Sequence, residues 1–309
     1  MNNAKRLRHF FPYFIYAATI VFFAIYLSGL DYGRFYDLRV APLPLIASLV
    51  IAICFRYWGV IVWRRILIDL GSREVPRFSL LSNVYAKAWM ARYIPGSVAW
   101  LAGKVLLASD LGISKSRLTV ASLNEAAVQV VALLATSAVL LTDERVTGVM
   151  DATTLAVVIA IVTLGGVVLF PPVFNFLVSR VFRLITNQAA SPELATNYRT
   201  LLCSFGLYFA GAFISGTAYF LLCRSIFPIA GWTDWLFVLG ATNLAGALGM
   251  ATPLVPSGAG VRDVSMLFLL SAVLPNEVAL VVTVCSRVWS ALADVSFFLL
   301  TSLHHQLRK

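Results

Sequence analysis

Ionisable side chains stand at five places inside stretches that are otherwise apolar: Arg56, Glu125, Arg262 with Asp263, Arg287 and Asp294. A charge at the centre of a membrane helix costs about 2.5 to 3.5 kcal/mol on insertion, so such residues mark ion pairs or polar pathways. Glu125 follows Asn124, with Gln129 one turn on, which draws a polar stripe along one helix. Asp294 comes seven residues after Arg287 and falls two turns further along the same face. Two chemistries fit these types and spacings. One is structural pairing, Glu125 with Arg287 or Arg287 with Asp294, tying helices together. The other is contact with a lipid headgroup or relay of a proton. Catalysis has less support, because no nucleophile and base can be paired, and His9, His304 and His305 all sit near the termini. Neither a metal site nor a cofactor is expected.

The elements that must position these charges are unusual in two places. Arg92-Tyr93-Ile94-Pro95-Gly96, running on to Gly103-Lys104, is the first; Pro253 through Pro256-Ser257-Gly258-Ala259-Gly260-Val261-Arg262-Asp263 is the second. Each sets helix breakers and then a fixed cation among hydrophobic segments, where broken backbone persists only if protein or a water-filled cavity covers it. Both continue alike: Lys104, a loop at Gly112 and the helix with Glu125; Arg262-Asp263, a loop at Pro275 and the helix with Arg287. Transporters built from repeats carry paired broken helices of this kind. Free backbone N–H groups from Gly258 to Arg262, together with that arginine, would favour a phosphate. Only Pro, Gly and a cation are shared, so two turns alike by chance stay open beside an internal repeat.

The surrounding medium follows from composition. Hydrophobic residues make up 60% of the 309 and charged residues 12%, with a mean hydropathy of +0.86. A soluble domain of this size would carry roughly twice that charge, which sets a soluble reading aside. Uncharged runs over 10–30, 152–179, 201–223 and 235–261 are each long enough to cross a bilayer. Lys5, Arg6 and Arg8 precede the first run without a small-residue cleavage site after it, which reads as a retained anchor. Lys and Arg collect at Arg64, Arg65, Arg73 and Arg77, at Lys115 and Arg117, and at Arg180, Arg183 and Arg199, whereas Asp143, Glu144 and Asp151 make an acidic loop. The positive-inside rule then predicts an all-α polytopic membrane domain over 1–309 with both termini cytoplasmic.

Its spans are predicted near 10–30, 42–63, 118–141, 152–177, 200–223, 235–253, 261–274 and 278–303. Eight crossings keep both ends inside only if 79–104 enters and leaves on the cytoplasmic side, with Pro95-Gly96 at its turning point. A helix lying flat, with Lys87, Trp89, Arg92 and Trp100 at headgroup level, is the alternative. Ala212 with Gly216, and Ala241 with Ala245 and Gly249, are expected packing faces. The net charge of +10 belongs to cytoplasmic flanks and attracts anionic lipid, so no nucleic acid is needed to explain it. Cys54, Cys203, Cys223 and Cys285 show no paired spacing and read as free thiols.

These residues together resemble a known family. The chain is similar to the membrane region of lysylphosphatidylglycerol synthases, the flippase part of the multiple peptide resistance factor, and to stand-alone membrane proteins of that superfamily. The likeness runs from about residue 10 to 303, on Arg92 to Gly96, Trp100, Gly103-Lys104, Asn124-Glu125, Pro256 to Asp263, and Arg287. Lys104, Ser257 and Asp263 stand where members commonly have Arg, Gly and Glu, and Trp100 lies one residue further from Pro95. The synthases continue into a soluble aminoacyl-transfer domain, which nothing here could form, so lysine transfer is not expected.

The resemblance implies a lipid flippase of the bacterial inner membrane. On that reading Lys104 and Arg262 hold an anionic headgroup, Glu125 and Asp263 balance or relay charge, and Arg287 anchors the cavity. Pro95, Gly96, Trp100, Gly103, Pro256, Gly258 and Gly260 shape the broken elements. The substrate would be a membrane phospholipid or lipid-linked intermediate. A homo-oligomer or an envelope-synthesis partner is open, as are a membrane-embedded enzyme or an accessory subunit acting on lipid-linked precursors. No Walker-type phosphate loop is present, so any drive would come from a gradient, a potential or mass action.

Overall fold

The computed structural model describes residues 39–72, 75–93, 99–148, 151–252, 258 and 260–307. The expected first span, the turning point Pro95-Gly96, and Pro256 lie outside them. Every regular element among the described residues is helical. The long helices are α1 (Pro42–Asp69), α4 (Lys115–Ser137), α7 (Tyr198–Ile226), α8 (Trp232–Met250) and α10 (Asn276–Gln306). Shorter ones are α2 (Phe78–Met90), α3 (Ala99–Ser109), α5 (Ala152–Val168), α6 (Pro171–Thr186) and α9 (Val261–Leu270). Among the described residues, four helical segments have the length and apolarity to cross a membrane, Pro42–Asp69, Lys115–Thr142, Pro192–Ile226 and Asn276–Gln306, and a bent pair, Ile159–Val168 with Pro171–Thr186, makes a fifth if it is one span. The chain is an all-α polytopic membrane protein.

Local chemistry sets the helix ends. Proline starts α1 and α6, where a fixed φ and a missing N–H do no harm. Ser114 caps α4 by accepting from the Arg117 N–H, and Asn197 caps α7 by accepting from the Thr200 N–H at 2.9 Å. Beyond α4, Arg145 bridges Asp143 at 2.6 Å and Asp234 of α8 at 2.9 Å, tying the ends of those two helices together.

One expected crossing is bent. The run over 152–177 is not one straight helix: it turns by 84° between Val168 and Pro171. Pro171 and Pro172 lack the N–H groups that would continue the ladder of α5, and Leu169 and Phe170 instead close back on Gly166 and Val167. α9 is also short. Ten residues rise about 15 Å, roughly half a hydrocarbon core of about 30 Å.

The helices pack through small residues. α7 lies along α1, α4 and α8. A methyl group added at Gly216 would come within 2.5 Å of Leu239, and one at Gly211 within 2.9 Å of Trp58, so bare backbone is what lets these helices meet. α2 and α3 pack on each other as the two arms of the interrupted segment, with α2 along α10 and α3 along α4. Gly103 makes that close approach, since a Cβ there would sit 3.2 Å from Ala88 Cα.

Candidate functional site

Besides the Arg145 group at the ends of α4 and α8, three ionic clusters among the described residues hold the charges set inside apolar stretches, each built from different elements. The first is enclosed. Lys104 of α3 and Glu125 of α4 are 0% and 1% exposed, and Lys104 Nζ reaches Glu125 Oε2 at 2.5 Å. Glu125 Oε1 also accepts from Tyr85 Oη of α2 at 2.7 Å and from Tyr208 Oη of α7 at 3.0 Å. The ammonium lies 3.7 Å from the Tyr85 ring centre, with the rings of Trp100 and Trp63 at 5.0 and 5.1 Å. Burial of a lone charge is prohibitive, and here carboxylate, hydroxyls and aromatic faces compensate one another. Of the two pairings weighed from the sequence, Glu125 with Arg287 is not the one formed here: the structure gives Glu125 Lys104.

The second cluster surrounds Asp294 of α10, whose side chain is 0% exposed. Arg56 Nε of α1 donates to its Oδ1 at 2.6 Å and Trp89 Nε1 of α2 at 3.2 Å. Tyr93 Oη donates to Oδ2 at 2.6 Å, and Arg92 Nη2 lies 3.3 Å from the same oxygen. One turn earlier, Ser290 accepts from Arg56 at 3.3 Å and from Arg92 at 3.2 Å. Arg287 and Asp294, about 10.5 Å apart along the helix axis, are each engaged with other partners, Asp263 and Arg56 respectively.

In the third cluster, Arg287 of α10 grips Asp263 of α9 with two bonds of 2.6 Å, from Nε and Nη2. Asp263 Oδ2 also accepts from the Gly260 N–H at 3.0 Å, which fastens the start of α9. The neighbouring Arg262 points elsewhere: its Nη2 donates to Tyr219 Oη of α7.

A cavity of about 360 Å³ opens beside the second cluster and reaches Arg262, the chain neighbour of Asp263. Arg56, Arg92 and Arg262 line it, and no Asp or Glu does among the described residues. Phe55, Trp89, Trp100, Leu123, Val130 and Trp289 supply apolar wall, and Gln129, Asn243, Tyr219 and Ser290 a few neutral polar groups. Val181 and Ile185 of α6, 41% and 47% exposed, also belong to the lining and carry the cavity to the molecular surface. Residues on either side of both interruptions face this space: Arg92 and Trp100 flank the first, Thr252 and Gly258 the second. Gly249 and Gly258 meet there almost backbone to backbone, since a Cβ on Gly258 would fall 2.6 Å from Gly249 Cα.

Of the residues expected to contact substrate, Arg262 reaches the cavity directly, and Asp263 with Arg287 holds the helix that carries it. Lys104 and Glu125 are committed to each other outside its wall. Arg56 and Arg92 were not among the expected contacts. Arg56 carried a usable signal as a charge inside an apolar run, and Arg92 as the head of the first interrupted stretch. Tyr219 gave none. Among the described residues no group of three or more His, Cys, Asp or Glu side chains is placed to hold a metal ion.

A family model described as the lysylphosphatidylglycerol synthase TM region matches residues 12–295. The chain belongs to that family. Both interrupted stretches and all three ionic clusters fall inside the matched range. The match is to the membrane region of the synthase family, and it ties this membrane protein to lipid handling. No curated protein matches the chain.

Proposed function

We propose that this member of the lysylphosphatidylglycerol synthase membrane-region family is a flippase, which moves lipids with anionic headgroups between the leaflets of the bacterial inner membrane. One observation carries the reading: three guanidiniums line a single cavity, with no lining carboxylate among the described residues. A charged group in an apolar wall is expensive unless something compensates it, and arginine forks match the oxygens of a phosphate. The headgroup would occupy the space between Arg56, Arg92 and Arg262, while acyl chains stay in lipid past Val181 and Ile185. The α2–α3 pair would re-enter from the cytoplasmic side, so that the two interrupted elements form the polar part of the route.

The test is lipid movement in vesicles. Protein reconstituted into phosphatidylcholine vesicles should bring tail-labelled phosphatidylglycerol from the inner leaflet to an impermeant quencher faster than protein-free vesicles do. Arg262→Gln, which keeps an amide for Tyr219 but removes the charge, should slow this on the order of tenfold. Movement no faster than in protein-free vesicles would overturn the reading. A chemically altered lipid in the same assay would favour an enzyme instead.

A further inference from the structure

The charge balance of the cavity names a headgroup class. Arg56, Arg92 and Arg262 bring three positive charges to its wall, and the carboxylate bound to this set among the described residues is Asp294. Arg262 bonds to the neutral Tyr219 hydroxyl, and Arg92 is close enough to feel the charges of both Arg56 and Arg262. The two other ionic clusters neutralise themselves, Lys104 with Glu125 and Arg287 with Asp263. The walls contributed by α4 and α8 are apolar or neutral, with Gln129, Thr242 and Asn243 as their polar groups. The stretches 94–98 and 253–257, which adjoin the cavity in sequence, contain neither Asp nor Glu. Among the described residues, two positive charges are thus left without a counterion.

Asp294 is not available to an incoming cation. It is fully buried, and its oxygens already accept from Arg56, Trp89 and Tyr93 and lie against Arg92. An ammonium group entering the cavity would therefore meet guanidiniums and find no free carboxylate. Donor capacity, in contrast, is spare: Arg92 Nε is buried with no hydrogen-bond partner.

Resting on the transport reading above, we propose that the cavity prefers a lipid headgroup ending in a dianionic phosphate, a phosphomonoester or diphosphate. Phosphodiester headgroups, with one negative charge, match it less well, and aminoacylated headgroups, whose ammonium groups cancel that charge, are disfavoured. A dianion balances the two uncompensated charges, and its oxygens reach guanidiniums converging from α1, from the end of α2 and from α9. One lysyl group adds two amino groups to a phosphodiester of charge −1, and at pH 8 the side-chain ammonium alone cancels that charge and meets the repulsion of the three arginines.

The experiment compares tail-labelled phosphatidate, phosphatidylglycerol and lysylphosphatidylglycerol as tracers in phosphatidylcholine vesicles at pH 8, where the phosphomonoester is a dianion and arginine stays charged. Phosphatidate should cross on the order of tenfold faster than phosphatidylglycerol, and lysylphosphatidylglycerol slowest. Arg262→Gln should bring the first two rates within about twofold of each other, as expected when one charge-assisted contact is lost. Equal rates, or lysylphosphatidylglycerol moving as fast as the others, would overturn the headgroup preference and leave transport standing. No movement of any tracer above protein-free vesicles would overturn the transport reading and this inference with it. Glycerol 3-phosphate separates the lipid from a soluble source: unchanged phosphatidate movement in its presence supports the lipid, whereas inhibition at micromolar levels would assign the site to the free phosphate ester.

Discussion

Lys104 and Glu125 show how a residue's neighbours decide its role. Both are charged, both are sealed from solvent, and four elements supply the groups that hold them. Such a pair adds little net stability compared with apolar packing, but breaking it leaves a charge with no partner. Glu125→Gln is therefore expected to destabilise the protein by about 3 to 5 kcal/mol, read as a fall in melting temperature in detergent. Lys104→Met combined with Glu125→Gln should recover much of the loss, because the stranded ammonium is then gone. Protein of either kind that remains folded should still move lipid, since neither side chain lines the cavity. Loss of transport at full thermal stability would instead return Glu125 to the pathway. The sequence marked Glu125 as a charge needing a partner, and Lys104 as a cation after a break. It could not marry them, because their contact depends on α3 folding back against α4.

At the scale of elements, the junction of α8 with α9 is the feature to test. Gly258 has φ +63 and faces the backbone of Gly249, so a side chain there meets both a strained conformation and atoms that cannot rotate away. Gly112 has φ +82 with nothing within 4 Å, so it shares the strain alone. Gly112→Ala should cost about 1 to 2 kcal/mol and leave transport unchanged. Gly258→Ala should cost more and also impair transport, because the displaced start of α9 carries Arg262 away from Arg56 and Arg92. Matching effects of the two substitutions, in stability and in transport, would show that the close contact has no role in the cavity. The glycines and prolines of this stretch were legible as a break; the seat of the break against Gly249 was not. Likewise, the run over 152–177 read as one apolar crossing, and the bend at Pro171 shows that hydropathy reports burial and not direction.

Over the whole molecule, charge placement predicts how the chain sits in its membrane. α4 begins beside the exposed Lys115 and its continuation ends before the exposed Glu144, so these two mark opposite ends of one crossing. From the excess of Lys and Arg around the first end, that end is expected to face the cytoplasm. With the native cysteines replaced, Lys115→Cys should react with an impermeant maleimide only in inverted vesicles, and Glu144→Cys only in intact cells. The reverse pattern would invert the topology and with it the direction from which the α2–α3 pair enters.

By itself the sequence determined the medium, the helical class, the family and the positions of the costly charges, because each of these is a local or additive property. Apolar run length, helix breakers and the energy of a charge in hydrocarbon can all be read residue by residue. Which charges meet, and whether a gap stays open between them, only the tertiary structure decided. Asp294 joins Arg56 across more than two hundred positions of chain, and Arg287 grips Asp263 in place of its own helix neighbour. The cavity in turn depends on how the helices meet: they approach closely at Gly211, Gly216 and Gly258, and leave a space walled in part by Trp89, Trp100 and Trp289. Distances between elements set those contacts, and nothing in the order of residues along one helix specifies them.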